Sequence, residues 1–207
     1  MRGLSVYGLV ICGLLLCCAV SAQDLRPVIL AFGDSLSAGH GVDPGYSFPD
    51  FVQKLIDQHG YRYRIVNQGI SGDTTSDGLT RIGRGVGVHP AIVILELGGN
   101  DGLRGLPVTT MRANLETMIV RFRKGGAKIL LAGITLPPNY GDDYIRPFAG
   151  AYSDLALKYK LPLIPFLLQG VYEAGLLQRD GIHPSVKGNE MVARLVFDKL
   201  EPMLRRR

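Results

Sequence analysis

The sequence predicts an α/β domain, a three-layer α/β/α sandwich built on a mainly parallel sheet. Three observations carry this expectation. Five short apolar runs recur along the chain, helical periodicity appears between and after them, and the alternation persists over almost the whole length beyond residue 27.

The first run, Val28 to Phe32, ends at Gly33, and comparable runs stand at Arg64 to Val66, Ala91 to Leu97, Lys128 to Ile134 and Leu161 to Phe166. Short runs rich in Ile, Val and Leu read as strands buried on both faces. Between the first two, Phe48, Phe51, Val52, Leu55, Ile56 and His59 share one helical face behind a capping box of Ser47 and Asp50, and Gly60 closes that helix. Met111, Leu115, Met118, Ile119 and Phe122 repeat the spacing before Gly125. After Ser185 it returns with Met191, Val192, Leu195, Val196 and Leu200. In such a sheet ligands bind where strands run out into helices, so chemistry is expected in the loops Gly33 to Gly41, Gln68 to Thr75, Gly98 to Leu106, Leu136 to Tyr144 and Gln178 to Pro184.

Residues 1–22 stand apart from the fold. Arg2 precedes an uncharged apolar stretch that ends in Val20-Ser21-Ala22, the pattern of an export signal cleaved after Ala22. A retained anchor is the competing reading, but Gly3, Ser5, Gly8, Gly13 and Ser21 dilute the stretch. A lipoprotein site at Cys17 or Cys18 is disfavoured by the residues before each. Cleavage removes Cys12, Cys17 and Cys18, every cysteine in the chain, and leaves 23–207 as a single domain without thiol chemistry. The expected location is therefore the periplasm or the exterior.

The 207-residue chain carries a net charge of +5, of which Arg205, Arg206 and Arg207 supply three, so the body of the domain is almost balanced. No basic patch interleaved with aromatics marks nucleic-acid binding, and a solvated tail is the expected state of the terminal arginines. A transient contact with membrane lipid remains open, and the domain is expected to be a monomer.

Two loops pair a hydroxyl with a base. Gly33-Asp34-Ser35-Leu36-Ser37 follows the first strand directly, and Ser35 there reads either as a turn residue or as a nucleophile. Asp180-Gly181-Ile182-His183-Pro184 places a carboxylate three residues before an imidazole. Asp180 can accept a hydrogen bond from Nδ1–H of His183 and leave Nε2 free as a base, or it can serve as a cap. Acyl transfer also needs donors for an oxyanion. Gly72 can present its backbone N–H in Gly69-Ile70-Ser71-Gly72-Asp73-Thr74, and Gly98-Gly99-Asn100-Asp101 sets the Asn100 amide at a strand end.

Together the segments GDSLSAG from Gly33, GISGDT from Gly69, LGGND from Leu97 and DGIHP from Asp180 resemble the four blocks of the SGNH (GDSL) hydrolase superfamily. With GLRG after Asp101 and LPPNYG from Leu136, the chain is similar to the small bacterial periplasmic type that acts as acyl thioesterase, lysophospholipase and arylesterase. The resemblance implies the SGNH hydrolase fold, with five strands in a flavodoxin-like sheet. It implies Ser35 as nucleophile, His183 as general base, Asp180 as its orienting group, and an oxyanion hole of Ser35 N–H, Gly72 N–H and the Asn100 side chain. The substrate implied is a small acyl ester or lysophospholipid, and no cofactor or metal is called for. A carbohydrate O-acetyl esterase and a catalytically silent binding domain are the alternatives on the same fold. His40 departs from that pattern, which commonly has an aromatic there, and Pro44 falls within Gly41 to Gly45.

Other chemistries fit less well. A GxSxG elbow fails because Ser37 occupies its second glycine position. His40, His59 and His89 lack a carboxylate at useful spacing or sit in structural contexts, and no HxxH or HxxxH pair indicates a metal. Gly83, Gly85 and Gly87 do not make a dinucleotide loop. Glu96 and Asp101 suggest local hydrogen bonding rather than a glycosidase pair, and Asp34 and Asp73 suggest turn braces.

Overall fold

The computed structural model describes residues 24–206, and the segment read as an export signal lies outside them. In chain order the elements are β1 (Val28–Gly33), α1 (Ser35–Ala38), α2 (Phe48–Gln58), β2 (Arg64–Asn67), α3 (Thr75–Thr80), α4 (Ile82–Gly87), β3 (Ile92–Glu96), α5 (Gly99–Leu103), α6 (Val108–Lys124), β4 (Lys128–Ala132), α7 (Asp142–Tyr159), β5 (Leu163–Ile164) and α8 (Val186–Leu200). Short 3-10 turns precede α7 and follow α8.

All strand pairings are parallel, in the order β2-β1-β3-β4-β5. Every residue of β1 and β3 is buried, as their unbroken apolar runs require. The expectation of two buried faces fails at β2, an edge strand whose residues are half-buried or exposed. The fifth run is also shorter than expected, since only Leu163 and Ile164 pair with β4.

One face is covered by α2 and α8, which pack on each other, and the opposite face by α3, α4, α6 and α7. The capping box of Ser47 and Asp50 forms as the sequence indicates. Among the described residues no helix is long and apolar enough to cross a membrane.

From β1 the chain first adds β2 on one side, then crosses to place β3 on the other. The segments leaving β1 and β3 therefore diverge to opposite faces and leave a crevice at their carboxyl ends. Ser35 follows β1 there, and Asn100 follows β3.

Candidate active site

The turn that bears Ser35 is set by Asp34. As N-cap of α1 its Oδ1 accepts the Leu36 N–H at 3.0 Å, and after one turn Gly39, at φ 76°, reverses the chain. Ser35 is thus the first residue of a single helical turn, where its own N–H has no intrahelical acceptor. Its hydroxyl faces the loop before α8.

That loop is a narrow hairpin. Gln178 N–H donates to His183 O and Ser185 N–H to Leu176 O, both at 2.7 Å, and Gly181 turns the tip at φ 70°. Within it the Asp180 carboxylate receives three donors: Ile182 N–H at 2.9 Å, His183 N–H at 3.0 Å and His183 Nδ1 at 2.7 Å. The His183 and Ile182 N–H groups hold this carboxyl well below the usual range, at about 2. An ionised Asp180 fixes the proton on Nδ1, and Nε2 stands 2.9 Å from Ser35 Oγ as an acceptor. The arrangement can take a proton from the serine hydroxyl.

The side chain of Gln178 fastens the two loops together, because its Nε2 donates to His40 O at 2.7 Å and to Pro184 O at 2.9 Å. The His40 ring lies against His183, with centroids 4.5 Å apart.

Donors for a developing oxyanion surround the hydroxyl. Neither the Ser35 N–H nor the Gly72 N–H has an internal acceptor among the described residues, and both residues border the same cavity. Gly72 adopts φ 88°, a left-handed conformation that a side chain would strain. The amide of Asn100 is differently placed from a free donor. Its Nδ2 already gives one hydrogen to Asp73 O at 3.0 Å and the other to Asp34 Oδ2 at 3.2 Å, so an oxyanion must share one of these bonds.

A cavity of about 670 Å³ opens from Ser35 and is walled mainly by apolar groups, including Ile134, Leu136, Phe166, Leu168 and Leu177. Segments expected as strand-end loops all reach it, although Ser35–Ala38 and Gly99–Leu103 are helical and α7 begins before Tyr144.

The sequence profile of the GDSL-like lipase/acylhydrolase family matches residues 31–191. The chain belongs to this family. It is 41% identical over 198 residues to the esterase TesA of Pseudomonas aeruginosa, covering 95% of this chain and 98% of the relative. It is 36% identical to thioesterase 1/protease 1/lysophospholipase L1 of Escherichia coli K12, covering 85% and 84%. The crystal structure of TesA superposes with a TM-score of 0.82 at 43% identity, covering 86% of this chain and 99% of the other. As a GDSL-type member, the chain is a carboxylic-ester hydrolase.

Several side chains behind this GDSL site differ from the sequence expectation. Glu96 bonds across strands, to the turn after β1, rather than locally. Asp73 does not brace its own turn. It pairs with Arg81 Nε at 2.6 Å, while the other Arg81 nitrogens donate to Gln68 O at 2.7 Å and Gly33 O at 2.8 Å, so one guanidinium ties together the ends of β1 and β2 and the Gly72 loop. Asp101, buried beside Asn100, accepts Thr75 N–H at 2.8 Å and its hydroxyl at 2.6 Å. His40, read as structural, lies at the site itself. His59, read as a structural residue on the apolar face of a helix, is the exposed cap after α2, with its ring on Phe197. Arg81 gave no signal in the sequence, and Gln178 none beyond its place two residues before Asp180.

Proposed function

We propose that Ser35, His183 and Asp180 hydrolyse acyl esters through an acyl-Ser35 intermediate, with lysophospholipids as the principal substrates and aryl esters and acyl thioesters also accepted. The observation that carries the reading is the continuous hydrogen-bonded chain from Asp180 Oδ2 through His183 to Ser35 Oγ at the mouth of an apolar cavity.

His183 Nε2 takes the Ser35 proton as Oγ adds to the carbonyl carbon, and Asp180 stabilises the imidazolium. The oxyanion receives the N–H groups of Ser35 and Gly72 and a shared hydrogen of Asn100. As the tetrahedral species collapses, His183 gives its proton to the departing alcohol or thiol. A water molecule then repeats the sequence in reverse and frees the acid.

A lipid substrate is supported by the rim. Tyr172, Ile182 and Leu103 border the cavity with exposures of 72%, 44% and 38%, and together they give its mouth an apolar rim that acyl chains or a lipid surface can meet. The relative from Escherichia coli bears lysophospholipase and thioesterase in its name. Export, supported by the pattern of residues 1–22, favours lysophospholipids over cytosolic thioesters as the substrate met in the cell. Transient contact with membrane lipid belongs to the same proposal.

Ser35→Ala should leave the fold intact and lower p-nitrophenyl butyrate hydrolysis by roughly 10⁴- to 10⁶-fold, and it should abolish labelling by a fluorophosphonate probe. Retained turnover in the pure, folded variant rejects the assignment.

A further inference from the structure

Beneath the nucleophile turn lies a second pair of carboxyl groups that the acyl-transfer steps do not use. Parallel register sets Glu96, at the end of β3, opposite Gly33, at the end of β1. A Cβ on Gly33 would fall 2.3 Å from Glu96 Oε2 and 2.2 Å from Ser37 Oγ, so only glycine lets this side chain stand under the turn. Glu96 is fully buried, and Oε2 accepts from Asp34 N–H at 3.2 Å, Ser37 N–H at 3.3 Å and the Ser37 hydroxyl at 2.8 Å. Asp34 is buried as well. Its Oδ1 takes the Leu36 N–H and its Oδ2 takes one Asn100 hydrogen.

Of these four carboxyl oxygens only Glu96 Oε1 receives no donor, and it has no access to solvent. The Asp34 N–H bond to Glu96 sets the two buried carboxyl groups side by side, with no lysine or arginine bonded to either among the described residues. Two ionised carboxylates cannot share such a site at tolerable cost, whereas a single proton between them removes the repulsion and satisfies the bare oxygen. Burial first, then the adjacent Asp34 charge, pushes the Glu96 carboxyl well up. Burial pushes Asp34 up to about 6, against the pull of the Leu36 N–H. Tyr152 on α7 and, beyond Asp34, His183 are the other titratable groups facing the pair.

We propose that Glu96 is a positioning residue that keeps its proton on Oε1 at neutral pH and donates it to Asp34, so that the pair carries one negative charge, fixes the turn bearing Ser35 and aims the Asn100 amide. Because Glu96 donates to it, Asp34 competes less strongly for the Asn100 hydrogen than a bare carboxylate would. The 3.2 Å bond from Asn100 to Asp34 is the longer of its two and is the one shared with the oxyanion. The inference rests on the roles given above to Ser35 and Asn100.

Glu96→Gln keeps the acceptor and replaces O–H by N–H, while Glu96→Ala removes both. Alanine is expected to lower kcat for p-nitrophenyl butyrate roughly 10- to 100-fold with a much smaller change in KM, and glutamine to recover most of that loss. The infrared spectrum of the wild-type enzyme at neutral pH should contain the C=O stretch of a protonated carboxyl that Glu96→Gln lacks. A glutamine variant as impaired as alanine, an alanine variant with wild-type kcat, or a wild-type spectrum without that band would each overturn the proposal. If the alanine variant does not fold, the band and the glutamine variant decide. Fluorophosphonate labelling of wild-type Ser35 separates the two readings, since an unlabelled Ser35 removes the acyl-enzyme while the infrared band judges Glu96 alone.

Discussion

At the scale of single residues, the carboxyl groups around Ser35 divide by environment, and the division has opposite consequences for stability. Asp180 is ionised because three N–H donors converge on it, and its carboxyl is held at about 2. That contribution is present above the ordinary carboxylate range and is lost as pH falls from about 4 towards 2. Glu96 behaves in the reverse sense. Its raised carboxyl keeps a proton in the fold that the unfolded chain releases above the ordinary glutamate value of 4.5, so the native state loses stability as pH rises. Glutamine cannot ionise. Glu96→Gln should therefore match the wild type in acid and become progressively more stable than it as pH rises beyond about 4.5. Urea denaturation at stepped pH reads this difference directly. An offset that stays constant across pH would show that Glu96 holds no proton in the folded protein.

At the scale of elements, the histidine loop is only as well placed as the helix that follows it. Asn189, buried in the first turn of α8, accepts the Phe48 N–H at 2.9 Å, and its Nδ2 donates to Pro184 O and Ser185 O at 3.1 Å each. One amide thus supplies the acceptor that the first N–H of α2 lacks and anchors the residue after His183. Asn189→Ala leaves those groups unsatisfied and should cost about 1–3 kcal/mol, several degrees in Tm, with a fall in kcat larger than any change in KM. Calorimetry and steady-state kinetics on the same preparation check both parts. An unchanged Tm would mean that water replaces the amide without cost.

Elements of this kind were unequally legible. The central strands showed themselves because burial on both faces demands unbroken apolar runs, and α2 because its capping box and face agree. The helix α7 was missed, since Pro147 interrupts it and the preceding Leu136-Pro137-Pro138 reads as a loop, although Phe148, Ala151, Tyr152 and Leu155 keep helical spacing. Ser35, Gly72, Asn100, Asp180 and His183 were legible because each sits in a short block whose geometry is local. Arg81, Gln178, Asn189 and the depth of Glu96 were not, because each has a defining partner between 48 and 141 residues away that only the tertiary fold brings to it.

At the scale of the whole molecule, the crossover between β1 and β3 opens a crevice that the segments after β4 and β5 close on one side with Ile134, Leu136, Phe166 and Leu168. Apart from Thr135 and Glu173 the residues of this wall are mainly apolar, so binding energy must come mostly from apolar area. Each methylene buried there is worth about 0.8 kcal/mol, or roughly a fourfold gain in kcat/KM. Across p-nitrophenyl esters from acetate to palmitate, kcat/KM should therefore climb steeply with chain length and level off once about 670 Å³ is filled. Ile134→Trp, which adds bulk to the wall, should move that plateau to shorter chains and change acetate turnover far less, because no hydrogen bond of the Ser35–His183–Asp180 chain involves Ile134. A profile highest at acetate in the wild type would instead favour a carbohydrate O-acetyl esterase, in which the apolar wall contributes packing rather than specificity.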